Sequence, residues 1–324
     1  MKLQQLKFLL AVAQSDLNIT AAAERLFTSQ PGISKQIRLL EEELGVRIFE
    51  RSGRQLSSVT EAGQAIIARV EQVLDGVEAI KDAAREFSSP DTGSISIATT
   101  HTQARYVLPP IIKAFRDRYP GVRLQMHQGN PEQISEMAAS GTADFAIATE
   151  ATADFGNLVM MPCYFWNRAI VTPCGHPLQQ QEPLTLAALA KYPIVTYVFG
   201  FTGRAQLDRA FRKQGLKPQV VLTATDADVI KTYVKLGLGV GILARMAFDP
   251  ELDTTLCALD ASELFPHSIT RLGFRPSLFL YGYHYEFIEL FASHLTRETV
   301  DAAVAAPSQQ ERDALFTDLE LQEL

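Results

Sequence analysis

The sequence predicts a multidomain α+β chain: an N-terminal helix-turn-helix with a wing, a long linker helix, and a C-terminal two-lobed α/β domain. Three observations carry this expectation. Residues 18–45 read as two short amphipathic helices joined by a tight turn, residues 60–87 hold an unbroken heptad seam, and from residue 93 strands and helices alternate.

In the helix pair, Thr20 is placed to cap the first helix, and residues 21–26 are strong helix formers with Leu26 facing inward. Thr28 or Ser29 caps the second, and Pro31 is tolerated because it falls in the first turn. Ile33, Ile37, Leu40 and Leu44 recur at helical spacing and form the inner stripe. The opposite face carries Gln30, Ser34, Lys35 and Arg38, which suit base edges and phosphates. A helix-turn-helix presents the start of its second helix to the major groove in this way. The competing reading is an ordinary helical hairpin with a solvated polar face.

Residues 46–57 add an apolar and basic run, a Ser-Gly turn and a second short run, a hairpin wing that places Arg51 and Arg54 near its tip. Residues 1–60 carry eight Lys or Arg against six Asp or Glu, a charge of +2 in a chain of net −7, so the remainder carries −9. The basic balance sits where the motif sits. Thr60 then caps a long helix in which Ile66, Val70, Val73, Val77, Ile80, Ala84 and Phe87 alternate at spacings of four and three. Such a seam predicts dimerisation, and two-fold symmetry predicts a roughly palindromic operator. The bland reading is a helix packed on its own domain. Breaker residues at 88–92 predict a hinge.

These boundaries give a DNA-binding domain at 1–59, a linker helix at 60–87, the hinge, an effector domain at 93–300 and a C-terminal tail at 301–324, charged and only locally helical from Pro307 on. No secretory signal is expected, and no apolar run approaches the roughly 18 residues that span a bilayer. A cytoplasmic protein without membrane contact is therefore expected. The three cysteines are odd in number and widely spaced, and reduced thiols are expected.

The C-terminal region reads β-α-β-α-β from 94 to 149, a mostly parallel sheet, followed by a second set from 169 to 243 and a return to the first lobe through 270–274 and a helix at 285–295. Two such lobes leave a cleft, and ligands there sit beyond the C-terminal ends of strands. Residues 99–103, Thr149 and residues 200–203 fall at those ends, rich in hydroxyls and helix-start N–H groups. This set suits a small oxyanion or a carboxylate-bearing metabolite. Singly, each threonine reads as an N-cap or strand residue.

These residues also carry a resemblance. Residues 28–36 (TSQPGISKQ), 95–106 (ISIATTHTQARY), 143–150 (ADFAIATE), 196–204 (TYVFGFTGR) and 223–234 (TATDADVIKTYV) resemble the LysR-type transcriptional regulators, and within them the CysB group. The first motif is widespread in the superfamily, and the other four are specific to the group. The resemblance implies a winged helix-turn-helix and an effector domain like type 2 periplasmic binding proteins. It implies a homotetramer, a dimer of dimers, that binds promoter double-stranded DNA, works with RNA polymerase and activates cysteine biosynthesis and sulfur-assimilation genes. Acetylserine-type inducers, opposed by sulfate, thiosulfate or sulfide, are the implied effectors. Thr100, Thr102, Gln103, Thr149 and Thr202 match the anion-contacting positions, with Trp166 near the cleft by the same resemblance, and a packing role is the alternative for this tryptophan. Thr28, Ser29, Gln30, Pro31, Ser34, Lys35, Arg38, Arg51 and Arg54 make up the DNA face.

Other constellations point nowhere. Residues 237–241 (GLGVG) lack the spacing and the Lys-Ser/Thr ending of a phosphate loop and read as a buried strand entry. The six histidines have no ligand spacing, so no metal is expected; His101 is placed either to touch a ligand or to serve structurally at a helix start. Asp226 and Asp228 read as charges at a helix start. No nucleophile elbow or acid pair emerges, so neither catalysis nor a cofactor is expected. A solute-binding protein would suit the lobes but not the N-terminal motif.

Overall fold

The computed structural model describes residues 1–53, 55–88, 90–149, 158–201 and 203–324. Arg54, Thr202 and residues 151–155 lie outside them. The chain divides into two units, Met1–Ser88 and Ser89–Leu324.

The first unit contains α1 (Leu3–Ala13), α2 (Ile19–Arg25), α3 (Gln30–Leu44), β1 (Phe49–Ser52), β2 (Gln55–Val59) and α4 (Glu61–Ser88). Asn18, not Thr20, caps α2: its Oδ1 accepts from the N–H groups of Thr20 and Ala21 at 3.0 and 3.1 Å. Ser29 caps α3, accepting from Gly32 N–H at 3.3 Å, and Gly45 closes it in the left-handed region at φ 71°. Ile33, Ile37 and Leu40 are buried against α1, α2 and the wing, whereas Leu44, in the last turn, stays partly in solvent. β1 and β2 pair antiparallel as the wing. Thr60 caps α4, accepting from Gly63 N–H at 2.9 Å.

The seam along α4 serves two environments. Ile66, Ile67, Val70 and Leu74 pack on the unit's own core, but Ile80 is 72% and Phe87 91% exposed. The first half of the heptad pattern is thus explained by packing within the unit, and the second half is not.

The second unit begins with β3 (Gly93–Thr99), a π-helical turn at Gln103–Val107, α5 (Leu108–Arg118), β4 (Val122–Gln128), α6 (Pro131–Ala139), β5 (Phe145–Ala148) and β6 (Val159–Trp166). The second lobe holds β7 (Arg168–Pro173), α7 (Leu186–Leu189), β8 (Ile194–Tyr197), α8 (Arg204–Lys213), β9 (Val220–Ala224), α9 (Ala227–Lys235), β10 (Val240–Ala244) and β11 (Leu256–Asp260). The chain returns through β12 (Ser268–Phe274), α10 (Gly282–Phe291), α11 (Arg297–Ala305) and α12 (Gln309–Ala314). One sheet has the order β4-β3-β5-β12-β6 and the other β11-β7-β10-β8-β9.

The mostly parallel expectation needs correction. In each sheet the pairs formed by βαβ units are parallel, while β12 and β6, and β7 and β11, pair antiparallel. Strands that cross between lobes cannot arrive by a right-handed helical crossover, so they enter against the grain. β6 escapes the sequence because Pro162 interrupts it; a proline without an N–H is tolerated at the sheet edge where β6 lies. The segment set apart as a tail is also packed. Arg312 is buried and donates to the carbonyls of Ala303 and Ala306, Phe316 joins the first lobe's core, and Phe165 exchanges backbone hydrogen bonds with Gln322 and Leu324 along the β6 edge.

The cysteine expectation is overturned for two of three. Antiparallel pairing of β7 with β11 brings Cys174 within 5.2 Å (Cα–Cα) of Cys257, 83 residues away, and they form a disulfide. Cys163 is free and buried. Unfolded without reductant, the chain should titrate one thiol with Ellman's reagent, rising to three after reduction. Three thiols before reduction would remove the disulfide.

Candidate functional site

On the first unit, the cap at Ser29 and the inner stripe of α3 fix which face looks outward. Thr28, Ser29, Gln30, Pro31, Lys35 and Arg38 are exposed and Ser34 is half-buried, forming one polar face at the helix start. Arg51 on the wing lies 3.5 Å from Glu41, whose other work is to accept from the N–H groups of Ile48 and Phe49. Its charge is thus tied to the base of the wing. Sequence reasoning missed Phe27. It occupies the turn before α3 at φ 50°, a conformation bulky residues avoid, with its ring 99% exposed. It stands exposed beside the polar face at the start of α3. Its signal was an aromatic directly ahead of the polar run at 28–30, where the turn was expected.

On the second unit, Thr100, Thr102 and Gln103 follow the C-terminal end of β3, all buried. Gln103 Nε2 donates to Thr270 Oγ1 at 3.3 Å, and Thr270 Oγ1 lies 3.3 Å from Thr149 Oγ1. The Tyr164 hydroxyl donates to Gln103 Oε1. Burial pushes the Tyr164 phenol up, so it remains a donor at neutral pH. Gln103 and Thr149 are therefore joined through Thr270, while Tyr164 holds the other end of the Gln103 amide; sequence reasoning selected neither Thr270 nor Tyr164. Thr102 Oγ1 lies toward the Tyr197 phenol without full hydrogen-bonding geometry, and burial pushes that phenol up to about 12. Trp166 Nε1 and His101 Nδ1 are buried without a partner among the described residues. Buried donors and acceptors left this way are costly.

Arg168 was also missed. Its guanidinium stacks 5.4 Å from the Trp166 ring and donates to the carbonyls of Pro266 and Gly203, to Ser268 Oγ and to Gln206 Oε1. Gly203 sits at φ 76°, and a Cβ there would lie 1.7 Å from Arg168 Nη2, so only glycine lets the turn before α8 close on this arginine. Asp226 caps α9 as expected, accepting from Val229 N–H at 2.8 Å. Asp228 does more than charge that helix. It accepts from the Tyr106 hydroxyl at 2.7 Å, joining the first lobe's π-helical turn to the second lobe, with Arg105 at 3.4 Å and Lys231 at 3.5 Å. Gly237 turns out of α9 at φ 78° and β10 follows buried, the strand entry the sequence indicated. Among the described residues no cluster of three or more His, Cys, Asp or Glu is placed to hold a metal, and no helix is long and apolar enough to cross a membrane.

Residues 3–64 match the family model for the bacterial regulatory helix-turn-helix protein, lysR family, and residues 88–296 match the LysR substrate binding domain. The chain belongs to the LysR family. Among curated LysR-family relatives, the transcriptional regulator CysB of Haemophilus influenzae is 50% identical over 99% of both chains. SsuR of Burkholderia cenocepacia is 49% identical over 93% of this chain and 97% of its own. The crystal structure of the cofactor-binding domain of the Cbl regulator aligns at TM-score 0.63 and 42% identity, over 66% of this chain and 93% of that one. Full-length OxyR from Pseudomonas aeruginosa, at 22% identity and TM-score 0.61 over 92% and 98%, shares the fold. These LysR-family relatives are transcriptional regulators, not enzymes, which bears out the reading of the N-terminal motif.

The Asp228 contact gives a pH test. Burial works to raise this carboxyl's pKa, but the Tyr106 hydrogen bond and the Lys231 and Arg105 charges outweigh it and hold the carboxyl below the usual range. A depressed carboxyl stabilises the fold above its unfolded value, about 3.9, and that stability is lost as pH falls through the lower folded value. Asp228→Asn should therefore melt below wild type at neutral pH, the gap closing in acid. A gap that persists unchanged in acid would contradict the ion-pair account.

Proposed function

We propose that this chain is a ligand-gated regulator, mainly an activator, of cysteine biosynthesis and sulfur-assimilation genes. It binds promoter double-stranded DNA in the cytoplasm as a homo-oligomer, a dimer of dimers built on the exposed half of α4, and works with RNA polymerase. The effector cleft takes an acetylserine-type inducer, with sulfate, thiosulfate or sulfide opposing it. The observation that carries the effector reading is the buried group of hydroxyl, amide and indole donors at Thr100, Thr102, Gln103, Thr149 and Trp166. Such a set recognises oxygen acceptors through neutral donors. Likeness to CysB, SsuR and Cbl supports the sulfur assignment.

Gating follows from differential affinity. A ligand that fits one disposition of the lobes better than another shifts the assembly toward it, by no more than that difference in binding. At the output end, Lys35 and Arg38 face outward from α3 to meet bases and phosphates.

Lys35→Ala and Arg38→Ala should each weaken binding to a sulfur-assimilation promoter fragment, by ~1–3 kcal/mol where a base contact is lost. A variant that loses a phosphate contact should also lower the salt slope by about one. Gel-shift titrations across ionic strength measure both. Unchanged affinity in both variants would remove α3 from the groove.

A further inference from the structure

Thr270 stands in a polar row that the sheet itself constructs. In β12 it pairs with Tyr164 of β6, and on the other side the β12–β5 register, which matches Arg271 with Ala148, places Thr149 in the next step. Cross-strand neighbours share a face, so Thr149, Thr270 and Tyr164 line up across three strands. The alignment depends on a β-bulge. Thr270 pairs with Tyr164 while Arg271 pairs with Pro162, leaving Cys163 as the extra residue. Without it the register would set Cys163 opposite Thr270. Bulges re-aim side chains in this manner beside functional sites.

The hydrogen bonds in this row have a direction. The Tyr164 hydroxyl donates to Gln103 Oε1, which fixes the amide so that Nε2 donates to Thr270 Oγ1. A hydroxyl has one hydrogen; in the arrangement in which Thr270 donates it along the 3.3 Å contact, Thr149 Oγ1 is the acceptor. Thr149 then has its own hydrogen free, and Gln103 keeps a second N–H. Trp166 Nε1, a donor only, adds a third.

We infer that Thr270 is a positioning residue for the effector cleft: it polarises the Tyr164–Gln103–Thr270–Thr149 chain so that the cleft offers hydrogens and selects fully deprotonated oxyanions over those that carry a proton. This rests on the anion-binding reading above and names the property by which that site chooses. Sulfate has only acceptors and satisfies every donor. Hydrogen phosphate, equal in charge and similar in shape at mildly alkaline pH, brings a hydrogen that meets another hydrogen. A site built for one hydrogen-bonding pattern rejects the isostere that breaks it, because buried groups are left unpaired.

The test is calorimetry on the full-length protein with sulfate and with hydrogen phosphate, alongside thermal melts. Wild type should bind sulfate at least tenfold more tightly than phosphate. Thr270→Val keeps the shape and removes the hydroxyl; it should weaken sulfate about tenfold and narrow the preference, whereas Thr270→Ser should restore both. A residue important only for packing would give the opposite pattern, with valine tolerated and serine not. Should Thr270→Val fail to fold, Tyr164→Phe frees the same amide from the other side and should narrow the preference likewise. If wild type binds sulfate but its preference over phosphate survives these changes, the positioning role is overturned and the anion site stands. If wild type binds neither anion, both fall.

Discussion

The polar row proposed as the effector site depends on one amide. Gln103 is almost wholly buried at the point where β3 gives way to a π-helical turn, and its hydrogen bonds reach Tyr164 on β6 and Thr270 on β12. Leaving any of these groups unpaired inside the lobe would cost on the order of 1–3 kcal/mol, so they hold one another in place. Both strands also connect the lobes: β6 runs through Asn167 directly into β7, and β12 follows the return from the second lobe. The partners of Gln103 are thus carried by the strands about which the lobes are joined.

A second set of contacts ties the two lobes. The turn that begins with Gln103 also carries Arg105 and Tyr106, which meet Asp228 at the start of α9. Lys231, one turn further along α9, is buried on Asp253 at 2.8 Å and lies 5.3 Å from the Tyr106 ring. A shift of the turn at Gln103 would disturb this latch within a few residues, a short physical route from ligand to lobe position. Arg168 performs a parallel task on the other side, joining Trp166, Ser268 and the turn at Gly203.

How far the sequence discloses this depends on whether the determinant is local. The helix-turn-helix was legible because a cap at Ser29, a stripe of Ile33, Ile37 and Leu40, and a stop at Gly45 all lie within one segment. Strand ends at Thr100 and Thr149 were legible for the same reason. Thr270 was not: its partners lie 121 and 167 residues away, and a threonine in a strand carries no signal of its own. The Cys174–Cys257 pair is hidden likewise, since strand pairing across 83 residues brings it together. In α4 the pattern was read well but two environments share it, the unit's core and open solvent, and a heptad does not distinguish them.

The central claim is that this neutral, donor-lined cleft governs how the helix-turn-helix engages promoter DNA. The most direct measurement is a footprint on a sulfur-assimilation promoter, with and without acetylserine, for wild type and Thr100→Ala. The account predicts that acetylserine alters the wild-type footprint, and that Thr100→Ala binds DNA equally well yet no longer responds. A Thr100→Ala footprint that shifts with acetylserine as wild type does would contradict it.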